Sequence, residues 1–280
     1  MMRGLAIVGA PVATLNRRIA GGVDVGARVY SNIEVLEATG ISATTGGTAH
    51  TKGSWVEVFA STAADIGMLT VASGTGISAA NTSTVFDIGV GAASSEVVVV
   101  PDILCGYSTV TSRYINIPVF IPAGSRVAIR VAGARTSEVT THEIRGYSGS
   151  LPNIIPAAAV SALTTISSSK GTTVAGTGSW VELVSSLSAP LSALVWSFSG
   201  DADTTVTGSA ADVEIGFGAV ASEIAVAQVQ VTPTSTELFS VQAQAQLPWS
   251  IVGGPIPAGT RIACRNNTSQ SIDVALYGLT

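Results

Sequence analysis

Apolar and polar residues alternate in short runs along most of the chain, a period of two that predicts strands. In Arg126-Val127-Ala128-Ile129-Arg130-Val131, the residues Val127, Ile129 and Val131 share one face and the two arginines the other. In Phe86-Asp87-Ile88-Gly89-Val90, apolar residues alternate with Asp87 and Gly89. Such runs predict strands near 53–60, 67–73, 84–90, 96–101, 115–121, 125–132 and 138–146, with a weaker one near 103–108. A second series is expected near 178–185, 191–198, 211–217, 223–231, 237–246, 248–253, 260–266 and 271–278. Ser73-Gly74-Thr75-Gly76, Ala80-Asn81-Thr82-Ser83 and Pro122-Ala123-Gly124 supply turn chemistry between runs. Burial on one face of each strand implies sheets stacked in pairs. About eight strands in roughly 110 residues is the pattern of an antiparallel β-sandwich, jelly-roll or immunoglobulin-like, and the strand count leans toward a jelly roll.

The pattern occurs twice. Gly53-Ser54-Trp55-Val56-Glu57 returns as Gly178-Ser179-Trp180-Val181-Glu182. Upstream, without a gap, Ile41-Ser42 matches Ile166-Ser167, Gly46 matches Gly171 and Thr48 matches Thr173. Downstream, Phe86 to Ala92 meets Val213 to Ala219, Ser95-Glu96-Val97 meets Ser222-Glu223-Ile224, and Ile121 to Arg126 meets Ile256 to Arg261. A tandem duplication of one folding unit follows. The expected organisation is all-β: two tandem jelly-roll-like antiparallel β-sandwiches preceded by an extended N-terminal arm. Residues 1–40, with no partner in the second half, form the arm, which docks or makes oligomer contacts. Residues 41–149 are the first sandwich, 150–165 a linker broken by Pro152 and Pro156, and 166–280 the second.

The 280 residues are 46% hydrophobic but only 5% aromatic and 11% charged, well below the ~25% charged that is ordinary for a soluble domain. Ser, Thr, Gly and Ala fill the gap, which suits close packing against neighbouring subunits and predicts a homo-oligomer or assembly component. A net charge of -5 and two lysines, Lys52 and Lys170, argue against nucleic-acid binding, which needs clustered cations. Arg17, Arg18 and Arg28 are the nearest approach to a basic cluster and read either as a solvated arm or as a docking anchor for an acidic partner surface. Mean hydropathy is +0.49, yet no run reaches the ~18 to 20 apolar residues of a spanning helix, so no membrane insertion is expected. The first ten residues only faintly imitate a signal peptide, and Pro11 and Arg17-Arg18 spoil it, so synthesis without export by the usual route is expected.

Neither a catalytic nor a metal constellation emerges, and no cofactor is expected. His50, His142, Cys105 and Cys264 do not stand at ligand spacing. Cys264 holds the place of Ile129, so a duplicated disulfide is excluded and both thiols read as reduced, while His142 falls near Val274. Asp201-Ala202-Asp203 lacks the later acidic positions of a calcium loop. Glu57, Asp87 and Glu96, echoed by Glu182, Glu214 and Glu223, recur with Arg126 and Arg130, echoed by Arg261 and Arg265. A catalytic pair is needed once, whereas recurrence in each copy predicts cross-strand ion pairing, and the chain is expected not to be an enzyme. Trp55 and Trp180, equivalent positions at the first strand, are expected to pack in the core or at an edge. Trp249 and Tyr107 read either as core packing or as exposed contacts for a host surface glycan, and the second reading makes a carbohydrate-binding host-adhesion module an alternative function. A polar row at Gln242, Gln244 and Gln246 reads as a solvated strand face.

Ser-Trp-Val-Glu, then Asp-Ile-Gly-Val-Gly-Ala-Ala-Ser-Ser-Glu-Val-Val-Val-Val-Pro at 87–101, then Ile-Pro-Val-Phe-Ile-Pro-Ala-Gly-Ser-Arg-Val-Ala at 117–128, resemble a module in structural proteins of tailed bacteriophages. The resemblance covers both repeats and not the arm. It implies a virion component, a tail fibre or other appendage, or else a capsid decoration or cement protein. Its partners would be other virion proteins, and it carries no catalytic residues to transfer.

Overall fold

A computed structural model describes residues 33–74, 84–105, 113–148, 157–167, 169–200, 211–231, 251–267 and 271–280. Arg17, Arg18, Arg28, Tyr107, Trp249, Asp201, Asp203, the glutamine row and the strand expected at 237–246 lie outside the described residues.

Eight strands make the first repeat: β1 (Ile33–Thr44), β2 (Val56–Phe59), β3 (Met68–Gly74), β4 (Thr84–Val90), β5 (Val97–Cys105), β6 (Arg113–Ile117), β7 (Val127–Gly133) and β8 (Val139–Ser148). One sheet runs β1-β8-β3-β6 and the other β2-β7-β4-β5. First pairs with last, second with seventh, third with sixth and fourth with fifth. Rolling up one long antiparallel hairpin gives this order, so the sandwich is a jelly roll, which resolves the choice the strand count left open. The stretches expected at 96–101 and 103–108 are one strand, β5, bent by irregular register around Pro101 and Asp102.

The second repeat holds β9 (Val160–Ala162), β10 (Thr172–Val174), β11 (Val181–Val184), β12 (Leu191–Gly200), β13 (Ala211–Phe217), β14 (Ile224–Val231), β15 (Ile251–Ile256), β16 (Ile262–Asn266) and β17 (Ile272–Leu279). Its sheets run β10-β17-β12-β15 and β11-β16-β13-β14, the order of the first repeat again, with β9 added beside β17.

Register corrects two readings of the upstream segment. β9 pairs with Tyr277–Leu279 and β10 with Ile272–Val274, so together they line the edge of β17 that β1 alone lines on β8. Leu36 opposite Gly146 corresponds to Ser161 opposite Gly278, and the segment from Ile33 to Gly40 therefore does have a partner in the second half. Further along, Ile41 opposite His142 corresponds to Thr172 opposite Val274, not to Ile166. The second repeat carries six extra residues around the Ser167–Lys170 turn, and the first carries six extra between Thr44 and Gly53. The two insertions cancel, so a gap-free alignment passes over both unnoticed.

The same registers place His142 at the position of Val274, and Cys264 opposite Val181 as Ile129 is opposite Val56. Each repeat has its own core. Phe86, Ile88, Ile129, Val131 and Ile144 fill the first; Leu194, Trp196, Phe198, Ile215 and Leu276 fill the second.

One-faced burial fails at β17, which is buried along its whole length. Val274 and Leu276 point into the second core, whereas Ala275, Tyr277 and Leu279, with Ala193 and Val195 of β12, join the apolar cluster of the first repeat. The β12/β17 sheet is thus covered on both sides: its outer face carries repeat 1.

Candidate functional site

The repeated pentapeptide leads into β2 and β11 with a tryptophan laid across the outer face of a sheet. A Cβ on Gly89 would stand 2.6 Å from the Trp55 ring, and a Cβ on Gly216 2.6 Å from the Trp180 ring, so each indole occupies space that only glycine leaves open. Trp55 and Trp180 are half-buried here and are not core residues. Arg130 lies over Trp55 at 4.5 Å from the ring centre, and Arg265 over Trp180 at 4.7 Å, a cation–π arrangement. The same arginines are also held by carboxylates: Arg130 Nε donates to Asp87 Oδ2 at 2.8 Å, and Arg265 Nε donates to Glu214.

Four residues before each of these arginines stands another. Arg126 Nε donates to Glu57 Oε2 at 2.8 Å, and its Nη1 donates to Glu96 Oε1 at 2.7 Å and to the Gly91 carbonyl. Arg261 repeats the clamp on Glu182 at 2.7 Å, Glu223 at 2.8 Å and the Gly218 carbonyl. The clamp ties β2 to the turn before β5, and β11 to the turn before β14. Gly91 at φ 137° and Gly218 at φ 125° make that turn in a backbone region other residues rarely enter.

Repeat 1 adds a piece that repeat 2 lacks. Lys52 Nζ lies 2.8 Å from Asp87 Oδ1 and 3.0 Å from Asp102 Oδ1, and the Asp102 N–H donates to Asp87 Oδ1. Asp102 sits at φ 50°, in the irregular stretch of β5 that has no counterpart in β14. Burial would raise the Asp87 carboxyl, but Lys52, the Asp102 amide and Arg130 outweigh it and hold it below the ordinary value. At Glu96, burial is likewise outweighed by Arg126 and backbone donors, and at Glu223 by backbone donors and Arg261. Carboxylates held ionised in this way brace the sheets and are unsuited to donating a proton as a general acid.

Buried groups outside the clamps include His142 and Cys264. His142 packs edge-on against Phe86, with Nε2 2.7 Å from the Thr140 hydroxyl, and burial lowers its pKa to about 4. Burial raises the Cys264 thiol, which is free and inert in the second core. Among the described residues, no group of three or more His, Cys, Asp and Glu side chains could hold a metal, and no helix is long and apolar enough to cross a membrane.

The surface joining the repeats was not anticipated from the sequence. Tyr277 Oη accepts from the Leu104 N–H at 2.8 Å and donates to the Asp102 carbonyl at 2.7 Å, while Ser197 Oγ donates to the Leu104 carbonyl at 2.5 Å. These hydroxyls cap backbone groups on the open edge of β5, groups a buried edge would otherwise leave unpaired. The Ala157 N–H donates to the Pro118 carbonyl, and His50 Nδ1 lies 3.2 Å from Ser169 Oγ. His50 belongs to the insertion of repeat 1 and Ser169 to that of repeat 2, so the two insertions meet across the junction. Lys52, Asp102, Ser197 and Tyr277 escaped the sequence reading. The one signal for Tyr277 is the run from Val274 to Leu279, which lacks the polar alternation of a half-exposed strand.

No family model matches the chain, and no curated protein matches it. Among solved structures it is similar to the STIV major capsid protein, at TM-score 0.34 and 11% identity over 87% of this chain and 97% of that one. It is also similar to PNGase F, a glycosylasparaginase from Flavobacterium meningosepticum, at TM-score 0.35 and 8% identity over 88% and 96% of the two chains. A CBM22-1–CBM22-2 tandem domain from Paenibacillus barcinonensis Xyn10C aligns at TM-score 0.26 and 9% identity, over 89% and 98%. Likenesses this remote assign no function. They do correct one expectation: with an enzyme among the similar structures, the exclusion of enzyme activity is withdrawn, although no activity is assigned in its place.

Proposed function

We propose that the protein is a structural component of a virion, a tail fibre or other appendage attached through its N-terminal segment, with a capsid decoration or cement protein as the alternative placement. The class comes from the resemblance of 87–101 and 117–128 to phage structural modules. The observation that carries the reading is the use made of the recurring residues. Trp55, Glu57, Asp87, Gly89, Glu96, Arg126 and Arg130, and their seven counterparts, all brace sheet surfaces, and repeat 1 is joined to repeat 2 through a buried face. Chemistry repeated for bracing suits a protein that works by shape and contact. Its partners on this reading are other virion proteins and further copies of itself.

Labelled protein located in electron micrographs of purified particles tests the class and separates appendage from decoration; absence of label from particles overturns it. Because β1 begins at Ile33, the attachment test deletes residues 1–32. Truncated chains should fold and fail to join particles, and full occupancy by them would exclude attachment through this segment.

A further inference from the structure

We propose that the outer edge of β14 is a self-association surface, pairing antiparallel with β14 of a second copy of this chain. β14 and β5 are the last strands of equivalent sheets. In repeat 1 that edge is already an interface, since the hydroxyls of Tyr277 and Ser197 cap β5 from the face of repeat 2. Among the described residues, nothing caps β14 in the same way.

The intramolecular cap does not extend head to tail to another copy. Its acceptor would be the outer face of the β3/β8 sheet, where register puts Ala72 and Arg145 in the places of Ser197 and Tyr277, and Glu143 in that of Ala275. Arg145 is paired there with Glu37 and Glu143, and an apolar edge laid on these charges would bury them. A strand edge without such a cap presents unpaired N–H and C=O groups with which another strand can pair.

The composition of β14 fits a copy of itself. Ile224 to Val231 contains neither a charge nor a proline, whereas β5 carries Pro101 and Asp102. Ile224 is 73% exposed and Val226 40%, with Val220 in the preceding turn 71% exposed. A two-fold axis across such an edge sets no like charges against each other and closes the assembly as a dimer.

The full chain should sediment at about twice its 28.1 kDa mass, and Ile224→Lys with Val226→Lys should return it to the single-chain mass with an unchanged far-ultraviolet spectrum. Val97→Lys, at the counterpart position on β5, should leave the doubled mass intact. Amide exchange on the unmodified chain gives a reading free of any folding defect: β14 amides should slow as concentration rises. A single-chain mass for the wild type, a trimer or larger, exchange independent of concentration, or equal dissociation by Val97→Lys overturns the proposal. The result is independent of the virion reading, since either can fail alone.

Discussion

The outer face of the β3/β8 sheet and that of the β12/β17 sheet are built on the same strands in the same register, yet one is charged and the other apolar. Where repeat 1 has Glu143, Arg145 and Tyr147, repeat 2 has Ala275, Tyr277 and Leu279. Where repeat 1 has Met68 and Thr70, repeat 2 has Ala193 and Val195. On the first face Thr70 Oγ1 donates to Asn116 Oδ1 and Arg145 is flanked by Glu37 and Glu143. On the second, small and apolar side chains receive the neighbouring sandwich. Duplication supplied two equal faces, and a handful of side chains then made one an interior and left the other polar.

The largest effect is expected from breaking the difference outright. Tyr277→Arg puts the cation of repeat 1 among the buried apolar residues of the junction and leaves the Leu104 amide without its acceptor. Denaturant unfolding should show a loss of about 3–5 kcal/mol, as for other uncompensated buried charges, with the halves unfolding in separate steps. One coincident transition at wild-type stability would show that the junction does not couple the repeats.

His142 against Val274 sharpens the comparison in the cores. In the unfolded chain this histidine takes a proton below pH about 6.5, but in the folded chain only near 4, so stability falls as pH falls through that window. The total is about 3 kcal/mol, and His142→Val should abolish it. An undiminished slope in the variant would assign the effect to other groups. Asp87 acts lower on the scale: its depressed value gives stability present above the ordinary carboxylate range and lost as pH drops through the folded value.

Gly89→Ala and Gly216→Ala probe what the repeats share. Each should cost about 1–3 kcal/mol, by a similar amount, because the same indole must move. Unequal costs would mean that the Lys52 and Asp102 additions make the first site stiffer. The smallest effect is expected for Tyr147→Leu, which copies Leu279 onto the polar face, removes the hydrogen bond between Tyr147 and Arg145 and should cost about 0.5–1 kcal/mol.

Alternation and echo made much of this readable. The period of two in Val127 to Val131 placed β7, and the recurrence of Arg126 with Glu57 and Glu96 anticipated cross-strand pairs that the structure contains. Trp55 stayed open between core and edge, because an indole over glycine on an outer face and one in a core look alike as sequence; Gly89, two residues from Asp87 in a matched block, was the available hint. The upstream alignment misled because two insertions of equal length restore the same offset. The docking of repeat 1 was invisible for a different reason: the pattern of one strand shows how many of its faces are apolar, not what covers them.

The latch between β5 and β17 also bears on timing. Leu104 and its hydroxyl cap on Tyr277 are separated by 173 residues, so the edge of β5 emerges from the ribosome long before the strand that closes it. At ~5 to 20 residues per second, repeat 1 spends roughly 9 to 35 seconds with that edge open. During synthesis, neighbouring nascent chains on one message present the same unfinished edge to each other, and the arrival of β17 ends that interval.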